Sequence, residues 1–185
     1  MLKKTPRPVR SLRMKLFPLR KTCKYTLDDD PTTRGKEQQK KKIAKMAAAA
    51  LTEAELATLS SKAIGAKDVA YCPYSKFRVG ASLLAEDGTF FVGANVENAS
   101  YPVGICAEKC VFGTAVTAGH RSFKAVAVAS DIIPGTSPCG SCRQFMRQFC
   151  PPSFPVYMYG NDGKYVMKTM GELLPDSFGP EDLER

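Results

Sequence analysis

Two short motifs whose first cysteines lie 33 positions apart constrain this chain more than any other feature: Cys106-Ala107-Glu108, and Pro138-Cys139-Gly140-Ser141-Cys142. Apolar periodicity predicts a helix beginning at each, one from about Ile105 to Ala118 and one from about Cys139 to Phe149. A Cys-x-x-Cys at a helix start offers two sulfurs to one ion, and a third thiol from a neighbouring helix makes three. Tetrahedral zinc then keeps a fourth position for water, which separates a catalytic site from a structural one. A structural site would want a fourth Cys or His, but the sole histidine, His120, falls at the far end of the first helix. Cys110 shares a helix face with Cys106, one turn deeper, and is a minor alternative ligand.

Glu108 stands two residues from a ligand and is poorly placed to coordinate as well. A carboxylate beside an activated water can take its proton, deliver it to a ring nitrogen and then protonate a leaving amine. Replacing an exocyclic amino group by oxygen requires that shuttle. Three thiolates over-neutralise a divalent ion, so charge must be withdrawn from the sulfurs. Two helix N-termini supply part of this, and Lys109 and Arg143, each beside a motif residue, are expected to donate to the sulfurs. Cys-x-x-Cys alone suits a structural zinc or a redox pair equally well, but a redox pair leaves Cys106 and Glu108 unexplained.

The formal charge of +9 invites a nucleic-acid partner until it is located along the chain. Met1 to Lys45 holds 15 Lys/Arg against 4 Asp/Glu, whereas Met46 to Arg185 holds 12 against 14. The basic character belongs to the tail. A slightly acidic remainder offers no general attraction to polyphosphate, so a small neutral substrate fits better than nucleic acid. No apolar run approaches the roughly 20 residues of a membrane span. Seven cysteines, an odd count without a secretory signal, favour a reducing, cytoplasmic setting.

Residues 1–47 read as a basic, disordered extension, and residues 48–185 as one catalytic domain. The first 24 residues carry nine basic and no acidic side chains, as mitochondrial transit peptides do, but three prolines interrupt them. Nuclear targeting is compatible with the same composition, as is a functional product that starts at Met46. Thr52 and Glu55 form a capping box for a helix to about Lys67. A bend at Cys72-Pro73-Tyr74 precedes strands Val79 to Ala85 and Thr89 to Asn95, joined by Glu86-Asp87-Gly88 as a hairpin. Strands follow at Ala125 to Ala129, Val156 to Tyr159 and Tyr165 to Met167, then a short helix near Glu172. Strands alternating with helices after a hairpin predict an α/β fold in three layers: a mixed sheet of about five strands covered on both faces.

Residues about 52 to 184 resemble the small homotetrameric, zinc-dependent cytidine deaminases of pyrimidine nucleoside salvage. The similarity lies in Tyr74-Ser75-Lys76-Phe77-Arg78-Val79-Gly80-Ala81, in Asn95-Val96-Glu97-Asn98-Ala99-Ser100-Tyr101-Pro102 and in Gly104-Ile105-Cys106-Ala107-Glu108. It continues in Ser137 to Gln144 and in the closing Leu173 to Leu183. The resemblance implies one Zn²⁺ per subunit on Cys106, Cys139 and Cys142, with Glu108 as catalytic proton shuttle. It implies that Asn95 and Glu97 bind the ribose 3′-hydroxyl, that Phe77 packs on the pyrimidine and that backbone at Ala107 reads the base edge. Ala99, Ser100, Tyr101 and Phe178 would reach a neighbouring subunit's pocket, making the sites shared. Lys109 stands where the family usually has Arg, a point charge in place of a planar fork.

Three rivals stand beside cytidine and 2′-deoxycytidine deamination. A deaminase of a modified cytosine nucleoside, of the blasticidin S type, shares the motif but not the Asn95 and Glu97 pair or the Phe178 terminus. A polynucleotide deaminase would use the tail as anchor and would normally carry His-x-Glu. A non-catalytic zinc module would be indifferent to Glu108.

Overall fold

The computed structural model describes residues 51–183. The basic extension and the boundary drawn at residue 48 lie outside the described residues. Helix α1 (Glu53–Ala66) starts where the capping box requires. Thr52 Oγ1 accepts from Glu55 N at 3.1 Å while Glu55 Oε2 accepts from Thr52 N at 2.9 Å, satisfying two orphan donors of the first turn. Its inner face buries Leu59 and Ala63 completely, and burying a leucine contributes roughly 1.5–3 kcal/mol.

After a 3₁₀ turn at Lys67–Val69, strands β1 (Val79–Ala85) and β2 (Phe90–Ala94) form the expected antiparallel hairpin. Helix α2 (Ala107–Thr117), strand β3 (Phe123–Ser130), helix α3 (Gly140–Arg147), strands β4 (Pro155–Tyr159) and β5 (Tyr165–Thr169), and helix α4 (Met170–Leu173) complete the order, with 3₁₀ turns at Tyr101–Val103 and Pro180–Asp182. The sheet runs β2-β1-β3-β4-β5. Its one parallel pair is β3 with β4, joined through α3, so the sheet is mixed as predicted.

Strand alternation sorts the core into two sides. Ala81, Leu83, Val126, Val128, Val156 and Met158 pack with Val111, Phe112 and Met146 of α2 and α3. Leu84, Ala125, Ala127 and Ala129 pack with Leu59 and Ala63 of α1. The two cysteine-bearing helices therefore share one face of the sheet, and the three-layer architecture holds. Gly93 sets the depth of α2: a β-carbon there would lie 2.6 Å from Val111 N and 2.9 Å from Ala107 O. Only a residue without one lets the helix backbone rest on β2.

Boundaries moved by a few residues. Helix α3 ends at Arg147, two residues short of the predicted Phe149. Pro151 and Pro152 follow closely, and proline disfavours helical backbone in the residue before it. Strand β3 is longer than predicted because Phe123 and Ser130 are also buried on its alternating faces.

Candidate active site

Cys106 is the N-cap of α2 and Cys139 the N-cap of α3, with Cys142 in the first turn of α3. Because both helices lie on one face of the sheet, the three sulfurs converge within 4.8 Å of one another. Zinc–sulfur bonds of about 2.3 Å put the sulfurs of one tetrahedral ion about 3.8 Å apart, so the three lie close enough together to serve a single zinc. Neither N-cap cysteine makes a side-chain hydrogen bond to its own helix, leaving the sulfurs free for the ion. Cys110 stays outside the cluster. His120 sits against the hairpin, with Nδ1 3.5 Å from Asp87 Oδ2 and its ring 4.9 Å from that of Phe91.

The sulfurs already share protons. A hydrogen bond from Cys142, a second from Cys139 and the nearby charge of Lys109 hold the Cys106 thiol at about 6, against partial burial. The same bond to Cys106, with burial, pushes the Cys142 thiol up. A soft donor set with one thiolate in place at neutral pH is suited to zinc. Glu108, in the first turn of α2, is 4% exposed. Burial raises its carboxyl above the ordinary range, and the negative charge of Cys106 adds to this, opposed by the local backbone and Cys142. A carboxyl so placed holds a proton more readily than an exposed one. Ala107 is fully buried between Cys106 and Glu108.

The neighbours of the sulfurs differ from expectation. Arg143 gives Nε to Pro138 O at 2.7 Å, Nη1 to Leu173 O at 2.7 Å and Nη2 to Ser137 Oγ at 2.9 Å. Its fork is thus spent on carbonyls and a hydroxyl flanking the motif, and it fixes the loop before Cys139 without donating to sulfur. Lys109 donates from Nζ to Ser141 Oγ at 2.7 Å, also not to sulfur, and acts on Cys106 through its charge.

Asn95 and Glu97 follow β2 in extended chain, and both turn to the segment Tyr74 to Val79. Asn95 Oδ1 accepts from Val79 N at 2.9 Å and Nδ2 donates to Phe77 O at 2.9 Å. Glu97 Oε2 accepts from Tyr74 N at 2.9 Å and Ser75 N at 3.2 Å, while Oε1 accepts from the Ser75 hydroxyl. These bonds, the Ser75 hydroxyl first, keep the Glu97 carboxylate below its ordinary range and so charged. A pocket of about 270 Å³ is lined by Tyr74, Ser75, Glu97, Asn98, Tyr101 and Gly104. Of the residues the sequence singled out, it brings together Glu97 and Tyr101. Phe77 and Asn95 stand beside it, half-buried. Ala99 and Ser100 are exposed next to Tyr101, and Phe178 is exposed on the C-terminal segment, its carbonyl held by Gln144 Nε2 at 3.0 Å. Sequence reasoning missed Ser75, Ser141, Gln144 and Arg147. A short polar side chain inside a Tyr-Ser-Lys-Phe bend was the one available signal, for Ser75.

Residues 38–158 match the model of the cytidine and deoxycytidylate deaminase zinc-binding region. The cytidine deaminase of Sporosarcina psychrophila is 51% identical over 118 residues, 64% of this chain and 87% of its own. The probable cytidine deaminase of Dictyostelium discoideum is 41% identical over 134 residues, 72% of this chain and 90% of its own. Among solved structures, cytidine deaminase from Burkholderia pseudomallei superposes with a TM-score of 0.65 at 40% identity, over 69% of this chain and 100% of that one.

Proposed function

Because the chain belongs to the zinc-binding cytidine and deoxycytidylate deaminase family, we propose that it hydrolyses cytidine and 2′-deoxycytidine to the uridines and ammonia in pyrimidine salvage. The observation that carries this is the convergence of three sulfurs at two helix N-termini, beside the buried carboxyl group of Glu108. Cys106, Cys139 and Cys142 hold zinc, which supplies Lewis-acid activation of water when bound.

Glu108 accepts the proton of the attacking water on its carboxylate. It then delivers that proton to the ring nitrogen of the pyrimidine, takes the remaining proton of the newly added hydroxyl and passes it to the departing amine as the C–N bond breaks, ending in its starting charge state. The buried N-terminus of α2, at Ala107, directs backbone N–H groups at the base edge. Glu97 retains acceptor capacity beyond its three internal bonds, since a carboxylate offers about four lone-pair sites, and takes the sugar 3′-hydroxyl. Asn95 joins it or, through Phe77 O and Val79 N, holds Phe77 against the ring. Since 2′-deoxycytidine keeps that hydroxyl, it is accepted.

Tyr101, 75% exposed, and Phe178, 58% exposed, reach a neighbouring subunit's pocket in a homotetramer with Ala99 and Ser100. An exposed groove lined by Phe145, Phe149 and Gln144 of α3 and its C-terminal extension supports such packing. Among the described residues no helix is long and apolar enough to cross a membrane. A reducing cytoplasm suits the free thiols. The catalytic unit is residues 48–185, and residues 1–47 do not enter the chemistry.

The deciding experiment is a cytidine and deoxycytidine assay, followed by loss of absorbance, on protein of measured zinc content. Turnover of both nucleosides, equal in the full chain and in one starting at Met46, is the expected result. Stoichiometric zinc with no turnover of either nucleoside would overturn the proposal.

A further inference from the structure

Arg147 ends the helix that carries Cys139 and Cys142, and it is 4% exposed. A buried guanidinium is costly unless its donors are used. Here Nε donates to Ser177 Oγ at 2.9 Å, Nη1 reaches Cys150 O at 3.5 Å and Nη2 pairs with Glu181. Two of the three partners lie on the C-terminal segment, on either side of Phe178. One turn earlier on α3, Gln144 takes the carbonyl of Phe178 itself. Gly179 completes the arrangement: a β-carbon there would collide with Nη2 and Cζ of Arg147, so the backbone comes close against the guanidinium.

We infer that Arg147 is a positioning residue for substrate binding: it clamps Ser177 to Glu181 onto the end of the zinc-bearing helix and so fixes where Phe178 projects. This rests on the proposed role of Phe178 in a neighbouring pocket. Cys142 and Arg147 are five residues apart on one helix, a rise of about 7.5 Å. The segment that serves another subunit is thereby registered to the metal of its own. A planar fork whose nitrogens point to three separate acceptors fits this task, whereas a lysine would bring a compact point charge without the fork.

The test uses the full-length, zinc-loaded enzyme and four variants: Arg147→Met, Glu181→Ala, Gly179→Ala and Phe178→Ala. Glu181 is on the exposed side, so its variant keeps the question open should Arg147→Met fold poorly. Zinc content, amide exchange of residues 175–183 and the steady-state constants for cytidine are measured. Arg147→Met, Glu181→Ala and Gly179→Ala are expected to expose those amides and to raise KM about tenfold, the factor that separates 1.4 kcal/mol of binding, with kcat and zinc changed far less. Phe178→Ala raises KM while leaving the exchange in place. Retained protection in both Arg147→Met and Glu181→Ala overturns the clamp, whatever KM does. Lost protection with unchanged KM, while Phe178→Ala still raises KM, overturns the positioning role alone. Unchanged KM in Phe178→Ala removes the substrate role of Phe178 and the inference with it.

Discussion

Lys109 on α2 and Ser141 on α3 meet through a 2.7 Å hydrogen bond, tying together the first turns of the two helices that supply the sulfurs. The pair lies 32 positions apart in sequence. It places one positive charge beside Cys106 and braces the gap between Cys106 and Cys142.

Lys109→Ala should therefore weaken zinc retention, by roughly tenfold, the lower end of the effect of outer-shell partners. Lys109→Arg keeps the charge and adds donors, so it should retain zinc at least as well as the parent. Competition with a chromophoric chelator measures both. A clear loss of zinc from Lys109→Arg would defeat the electrostatic account.

Glu108→Gln preserves shape but cannot carry the proton. Turnover of cytidine should fall by roughly 10²–10⁴-fold, the usual contribution of a positioned acid–base group. Zinc content should stay at one per chain, because no ligand changes. Metal analysis beside the rate separates loss of the shuttle from loss of the ion.

Gly93→Ala pushes a methyl into the backbone of α2 at Val111 N and Ala107 O. Backbone cannot swing aside as a side chain can, so about 1–3 kcal/mol of stability should be lost. The strain falls on the turn that follows Cys106, so zinc retention should decline with Tm. Thermal melting and chelator competition, done together, read both.

Lys124 of β3 pairs with Glu55 at 2.9 Å and, with the Thr52 cap, holds that carboxyl at about 2 instead of 4.5. A depressed folded value means the contribution is present above pH 4.5 and is lost as pH falls through 2. The Tm of Glu55→Gln should lie below that of the parent at neutral pH. The difference should shrink steadily below pH 4.5. A constant difference down to pH 2 would contradict the assignment.

Much of this was legible in the sequence because the signals are local. Thr52 and Glu55 are three residues apart and form the predicted box. Asp87 and Gly88 turn the hairpin, and Cys139 and Cys142 sit on one helix start. Convergence with Cys106 needed one further step, that helices flanking a single strand share a face of the sheet. Pairings between distant side chains carry no periodic trace, and these are what was missed. Ser75 bonds Glu97 from 22 positions away, Arg147 meets Glu181 from 34, and Arg143 found carbonyls where sulfur was expected. In each case the partner is chosen by the loop paths, which hydrophobic patterning does not encode.

The two uncapped helices bear on how the chain trades robustness for chemistry. Helices α1 and α4 begin with full capping boxes, whereas α2 and α3 begin with cysteines that bond nothing on their own backbone. A side-chain cap is typically worth about 1 kcal/mol. A serine or aspartate at position 106 or 139 would steady the metal-free fold while abolishing a ligand. Selection for stability alone would thus erode the centre from its helix ends inward, and only the demand for bound metal holds those two positions as cysteine.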